Sequence, residues 1–146
     1  MKKENTEVGF VIKGIKTEQF AIFEENFTPK KETCLETELQ FKLDQSNKQM
    51  AVFLEFEFIQ GKKVFLKVQV SCHFKIDEGY WNLFIQENKL IVPKDFLAHL
   101  VMISTGTSRG VLFAKTEGTQ FSKYIIPSIN VAEMIKEDAS FDMVVE

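Results

Sequence analysis

Residues 64–76 read VFLKVQVSCHFKI, and the period of this stretch decides the fold. Val64, Leu66, Val68, Val70, Cys72, Phe74 and Ile76 fall on one face, and Phe65, Lys67, Gln69, Ser71, His73 and Lys75 on the other. Neighbouring side chains of a strand point to opposite faces, so this alternation describes a half-buried antiparallel strand. Cys72 and His73 are adjacent in the chain and therefore diverge in space. The thiol enters the core, the imidazole takes the second sheet face, and the two cannot pair as thiolate and imidazole. A cysteine so placed behaves as a small hydrophobe. The stretch is a strand, and function has to be sought elsewhere.

The same alternation recurs upstream. CLETELQFKLD (34–44) sets Leu35, Leu39, Phe41 and Leu43 against Glu36, Glu38, Gln40, Lys42 and Asp44. MAVFLEFEFI (50–59) places Val52, Leu54, Phe56 and Phe58 on one face, and the intervening QSNK (45–48) has turn chemistry. VGFVIKGIKTEQFAIFEE (8–25) is β-like but long; Gly14 marks a bend or bulge within it, and NFTPKKE (26–32) is a loop. If Leu54, Phe56 and Phe58 share a face with Val68, Leu66 and Val64, the connection must be odd-numbered. That predicts a three-residue loop, Gln60-Gly61-Lys62, with Gly61 supplying a positive φ. The second face of this hairpin is not purely polar, because Phe53 and Phe65 lie on it among Glu55, Glu57, Lys67 and Gln69.

The rest of the chain reads as helical or irregular. DEGYWNLFIQENKLIV (77–92) is a connection holding the single Trp. Pro93 opens a helix, with Phe96, Leu97, Leu100, Val101, Ser104, Ser108 and Val111 at helical spacing. Gly106 and Gly110 interrupt it, each at a cost of about 1 kcal/mol against Ala. They mark either a close helix–helix seam or the end of the helix. TEGTQ (116–120) is a loop and FSKYIIP is extended. Asn130 caps a short final helix, with Glu133 three residues on.

Composition bounds the function. At 146 residues the chain is one domain with room for a core, and its 45% apolar and 27% charged content is that of a globular protein. The net charge is −3 with no basic block, so neither nucleic acid nor an anionic membrane is an expected partner. The opening MKKENTEV has no leader-like apolar segment, and no apolar run is read as a membrane span. Two cysteines in such a chain indicate reduced thiols and a cytoplasmic setting. Fifteen Phe against two Tyr and one Trp point either to a Phe-rich core or to an apolar surface made for another chain.

No catalytic constellation emerges. RGVLFAKT ends like a phosphate loop, but Arg109 and Ala114 stand where its two glycines belong. His73 and His99 lie in no paired ligand motif, so no metal and no cofactor is expected. Nothing supports Cys34 as a nucleophile, and Glu36/Glu38 and Glu55/Glu57 have the spacing of a solvated strand face.

The order of segments resembles the SecB export chaperones. NTEVGFVIKGIKTEQFAIFEE is similar to that family's opening strand, and FLKVQVSCHFKI to its strand ending in Phe-x-Ile, with one deletion. LIVPKDFLAHLVMISTGTSRGVLFAKTEGTQF resembles its long helix, which follows a Pro and contains Ser-Arg-Gly, here Ser108-Arg109-Gly110. IIPSINVAEMI is similar to its Leu-x-Pro-x-Asn segment entering the final helix. The resemblance covers nearly the whole chain in order. It implies an α+β fold, with a four-stranded antiparallel sheet packed on one long and one short C-terminal helix. It also implies a homo-oligomer, dimer or tetramer, with Gly106, Arg109 and Gly110 at a close helix contact, and ATP-independent holding of unfolded or specific client polypeptides in an apolar groove. Lys67 and Gln19 replace acidic positions that the family offers to the motor SecA, which argues against SecA docking. Some relatives serve one dedicated partner, such as an antitoxin.

A SecB-like holding chaperone or adaptor is therefore the first expectation, with Phe53, Phe65, Trp81 and Phe84 contributing to the client surface. A small apolar-ligand binding domain is the alternative, and so is a structural subunit with one constant partner. An enzyme comes last.

Overall fold

The computed structural model describes residues 9–144; the charged opening stretch 1–8 and the last two residues lie outside it. Four strands form the main sheet: β1 (Phe10–Ile22), β2 (Cys34–Asp44), β3 (Gln49–Gln60) and β4 (Lys63–Ile76). Their order is β1-β4-β3-β2, and every pairing is antiparallel. A short helix α1 (Glu78–Leu83) and a hairpin of β5 (Ile85–Gln86) and β6 (Lys89–Val92) follow, then the long helix α2 (Lys94–Thr116). A one-turn helix α3 (Val131–Met134) precedes β7 (Ala139–Asp142), which pairs with β6. The α+β fold, with a four-stranded antiparallel sheet under one long and one short helix, is the one expected. The second, three-stranded sheet β5-β6-β7 was not.

Alternation becomes burial. Met50, Val52, Leu54, Phe56 and Phe58 of β3 and Leu66, Val68, Val70, Cys72, Phe74 and Ile76 of β4 are all at most 5% exposed. Helix α2 closes this face with Leu97, Leu100, Val101, Ser104, Thr105, Ser108, Leu112 and Thr116. The buried hydroxyls donate to carbonyls four residues back, Ser104 to Leu100 at 2.8 Å and Ser108 to Ser104 at 2.7 Å, so none is left unpaired against the sheet. Helix α2 runs unbroken through Gly106 and Gly110, both of which face away from the sheet. It is long and apolar enough to cross a membrane by length and composition, and here it serves as the core-covering helix.

The β3–β4 hairpin keeps the expected faces from Leu66 onward and exchanges them at its start, where Phe65 is buried and the expected core residue Val64 is only partly buried, in a hollow with Glu57 and Lys67. Gln60 pairs with Lys63, so the turn has two residues, and Gly61 sits at φ 65°. The odd residue needed to match the faces lies instead at Phe65, a bulge between the pairs Phe58–Leu66 and Ile59–Val64. Leu54 consequently faces Val70, not Val68. Strand β1 carries two such irregularities, with Lys13 and Glu18 as the extra residues, the first beside Gly14 as expected. At the other turn, Asn47 donates from its backbone N–H and its Nδ2 to the two carboxylate oxygens of Asp44, at 3.2 and 2.8 Å. These bonds hold the Asp44 carboxyl below its usual range.

The expected capping box at Asn130 does not form. Its side chain makes no cap hydrogen bond, and α3 lasts only from Val131 to Met134. Gly9 enters β1 at φ 75° with the Tyr80 ring against its α-carbon, a place that admits no side chain.

Candidate functional site

The residues expected on a client surface are split by the fold. Phe53 does lie on the outer face of the sheet, partly covered, with Lys42 Nζ 4.4 Å above its ring and the His73 ring edge-on at 6.1 Å. Shallow hollows of about 230 and 260 Å³ flank it.

Phe65 corrects the expectation. It is fully buried, with ring centroids 5.1 Å from Phe27 and 5.0 Å from Tyr124. The bulge is the reason: two consecutive residues, Phe65 and Leu66, oppose one stretch of β3 and both turn inward.

Trp81 and Phe84 are also core, each 4% exposed. Residues 77–92 are not an open connection but α1 and a hairpin. Positions three apart share a helix face, so Trp81 and Phe84 go inward while Tyr80 and Leu83 go out. The exposed apolar residues of this segment are Leu83 (72%), Tyr80 and Ile85, which the sequence reading did not single out.

The residues expected at an oligomer contact also divide. Among the described residues, a Cβ added at Gly106 or Gly110 would meet nothing within 4 Å, so this face of α2 is open there. Arg109 is already engaged. Its Nε donates to the Ile126 carbonyl at 2.6 Å and its Nη2 to that of Pro127 at 2.9 Å, which fastens the segment after α2 to the helix. Strand β1 runs beside the open side of α2, since Phe10 touches Phe96 and His99 at one end and Lys115 lies over Phe20 at the other. Ile12 and Ile15 on this strand are 45% and 51% exposed, and Met102 and Phe113 of α2 are exposed as well.

Two polar clusters occupy the outer sheet face. Ser71 Oγ–H donates to Glu18 Oε1 at 2.6 Å and lies 2.9 Å from His73 Nε2. The one hydroxyl proton is committed to Glu18, so His73 Nε2–H is the second donor. Serine, histidine and a carboxylate thus meet, but Ser71 has no exposed surface and the carboxylate binds the serine rather than orienting the histidine. The cluster ties edge strand β1 to β4, and the bulge at Glu18 is what turns its carboxylate toward Ser71.

In the second cluster Lys67 Nζ bonds Glu55 at 2.6 Å, with Glu38 on the next strand. Lys67 holds Glu55 below the ordinary value of 4.5, and the hydrogen bond from Glu38 and charge of Glu55 together push Glu38 above it. Cys72 is buried and its thiol pKa is raised by that burial, whereas Cys34 is exposed. No group of three or more His, Cys, Asp or Glu among the described residues is arranged to hold a metal ion.

The edge strand β2 borders a further hollow of about 260 Å³, lined by Leu35, Phe58, Tyr124, Ile125 and Pro127 among others. It combines an open strand edge with apolar side chains, a combination that binds extended polypeptide.

No family model and no curated protein matches the chain. Among solved structures it is similar to a protein of unknown function from Streptococcus agalactiae, at 17% identity and a TM-score of 0.38, over 82% of this chain and 96% of that one. A likeness at that level carries no argument about fold or function.

Proposed function

We propose that the protein is a SecB-like holding chaperone or adaptor, which keeps non-native or specific polypeptide segments bound without nucleotide. The observation that carries this reading is the apolar surface left over once the core is complete. Val11, Ile12 and Ile15 on edge strand β1, Met102 and Phe113 on α2, Leu83 on α1 and Ile125 beside β2 are all 45–72% exposed. Apolar side chains gathered beside unpaired strand edges gain area and backbone hydrogen bonds when a chain is laid against them.

Two roles divide this surface. The β1–α2 side, with Ile12, Ile15, Gly106, Gly110 and Phe113, offers a close-approach face for a second copy. The β2 side and the α1 knob are left for the client. The setting is proposed as cytoplasmic, with no nucleic acid, membrane, metal or SecA among the partners.

The test is aggregation of a chemically unfolded, unrelated protein diluted into buffer with and without this chain. Suppression near one chain per client, with no nucleotide added, is the expected result. A folded, oligomeric protein that suppresses nothing would sink the general-chaperone reading and turn attention to a single dedicated partner.

A further inference from the structure

We propose that one tip of the main sheet, where the β1–β2 loop lies on the β3–β4 turn, docks an acidic segment of a partner protein through Lys30, Lys31, Lys62 and Lys63. Recognition here is by charge, and it stands whether or not the chain also holds unfolded clients.

The lysines arrive as two pairs on separate loops, so no basic block shows in the sequence. The fold brings the pairs together. Gln60, only 2% exposed, accepts from the Thr28 backbone N–H at 2.8 Å and donates to Thr33 Oγ1 at 3.3 Å. Asn26 Nδ2 donates to the Val64 carbonyl at 2.8 Å. These three bonds fasten the loop that carries Lys30 and Lys31 to the hairpin that carries Lys62 and Lys63. Lys31 reaches across the junction, with Nζ 3.4 Å from where a Cβ on Gly61 would stand.

Nothing in the chain neutralises the tip. All four lysines are exposed. The ion pairs among the described residues are Lys48–Glu78 and Lys67–Glu55, and neither involves them. Ammonium groups gathered without counter-charges repel one another and raise the local positive potential. Lys30 adds a backbone cost, since it holds φ 64°, a left-handed conformation that Gly adopts freely and a long side chain does not. A buried glutamine is thus used to hold like charges together, one of them on a strained residue. Strain of this kind persists at binding sites, where an outside partner offsets it.

The rim selects the partner. Glu24 and Glu25 flank the loop on one side, Glu32 and Glu36 on the other, and Glu57 shares a hollow with Lys63 on the outer face. Positive potential is therefore confined to the tip. A nucleic acid or a bilayer spreads negative charge over a wider area and would meet these carboxylates. A short run of Asp or Glu fits inside them. The tip also holds Lys and no Arg, the side chain whose planar fork suits phosphate. Beyond Thr33 lies the apolar hollow of Leu35, Tyr124 and Ile125, which gives an apolar residue next to the acidic run a place to rest.

The test is fluorescence anisotropy with a labelled peptide in which a run of Glu is followed by Leu and Phe. A matched peptide has Gln for Glu, and an RNA oligonucleotide and phosphatidylserine vesicles are measured alongside. The Glu peptide is expected to bind at least about tenfold tighter than the Gln peptide. Its affinity should fall as salt rises from about 50 to about 300 mM. Lys30→Gln/Lys62→Gln should weaken it about tenfold, whereas Lys13→Gln/Lys16→Gln on β1, an equal change of charge, should leave it within about twofold. Lys30→Gly separates binding from folding: it should bind about threefold more weakly yet unfold at no lower a urea concentration than wild type. Equal binding of the Glu and Gln peptides, or equal loss from the two double variants, overturns the proposal. Tighter binding of the RNA or the vesicles than of the Glu peptide overturns the choice of partner.

Discussion

Arg109 reaches from α2 to the backbone of Ile126, with Nε 2.6 Å from its carbonyl oxygen, and so fixes the chain that returns along the sheet after the helix. The same segment carries Phe121 and Ile126 into the core and sets Tyr124 against Phe58 and Phe65. Bonds from a guanidinium to a carbonyl are charge-assisted. Arg109→Ala should therefore lower stability by about 1.5–3 kcal/mol. Lys, with no planar fork, should restore only part of that loss. Urea unfolding of the three proteins checks this, and equal midpoints would show that the clasp contributes nothing.

Phe53 and Phe65 looked equivalent in sequence and should behave oppositely. Phe65→Ala removes a ring enclosed by Phe27, Phe58, Phe121 and Tyr124 and should cost about 3–5 kcal/mol. Phe53→Ser, on the outer face, should cost less than about 1 kcal/mol. If client contact includes the outer face, only the Phe53 variant loses holding activity while remaining folded.

Stability should respond to pH at Glu38 and Glu55 with opposite signs. Glu55, lowered by its bond to Lys67, contributes stability that is complete above its ordinary 4.5 and is lost as pH falls through its folded value. Glu38, raised by Glu55, contributes below 4.5 and loses that contribution as pH rises through its folded value. Glu38→Gln should thus be more stable than wild type near pH 7 and lose its advantage near pH 4. Denaturant midpoints across that range test it, and a constant difference would mean that the two carboxyls do not interact.

Gly106 and Gly110 separate the stability of one chain from association. An added methyl meets nothing within 4 Å from other parts of the described residues at either position, so Gly→Ala at each should stabilise α2 by about 1 kcal/mol. Gly106→Phe should leave the isolated fold intact and dissociate the proposed oligomer, as read by sedimentation. An unchanged mass would place the association elsewhere.

Regular periodicity was the legible part of this chain. The run Leu66–Ile76 and its partners 34–44 and 50–59 alternate so strictly that face and strand follow from side-chain direction alone, and the fate of Cys72 and His73 with them. Arg109 was marked by its Ser-Arg-Gly setting, but its carbonyl partners lie 17 and 18 residues away and have no local signal. The small residues of α2 were noticed, yet Ser104 and Ser108 are the ones against the sheet while Gly106 and Gly110 face out.

The sequence by itself determined the main strands, the core face from Leu66 onward and the long helix, because each is written in a period of two or in helical spacing, and the resemblance implied the α+β class. Only the tertiary structure decided where the odd residue of the β3–β4 hairpin goes. A three-residue loop and a two-residue turn with a bulge satisfy the same alternation, and the packing of Phe65 among Phe27, Phe121 and Tyr124 goes with the second. The fold likewise put Trp81 and Phe84 inside and left Tyr80 and Leu83 outside, since which face of a six-residue helix is buried depends on what lies beneath it.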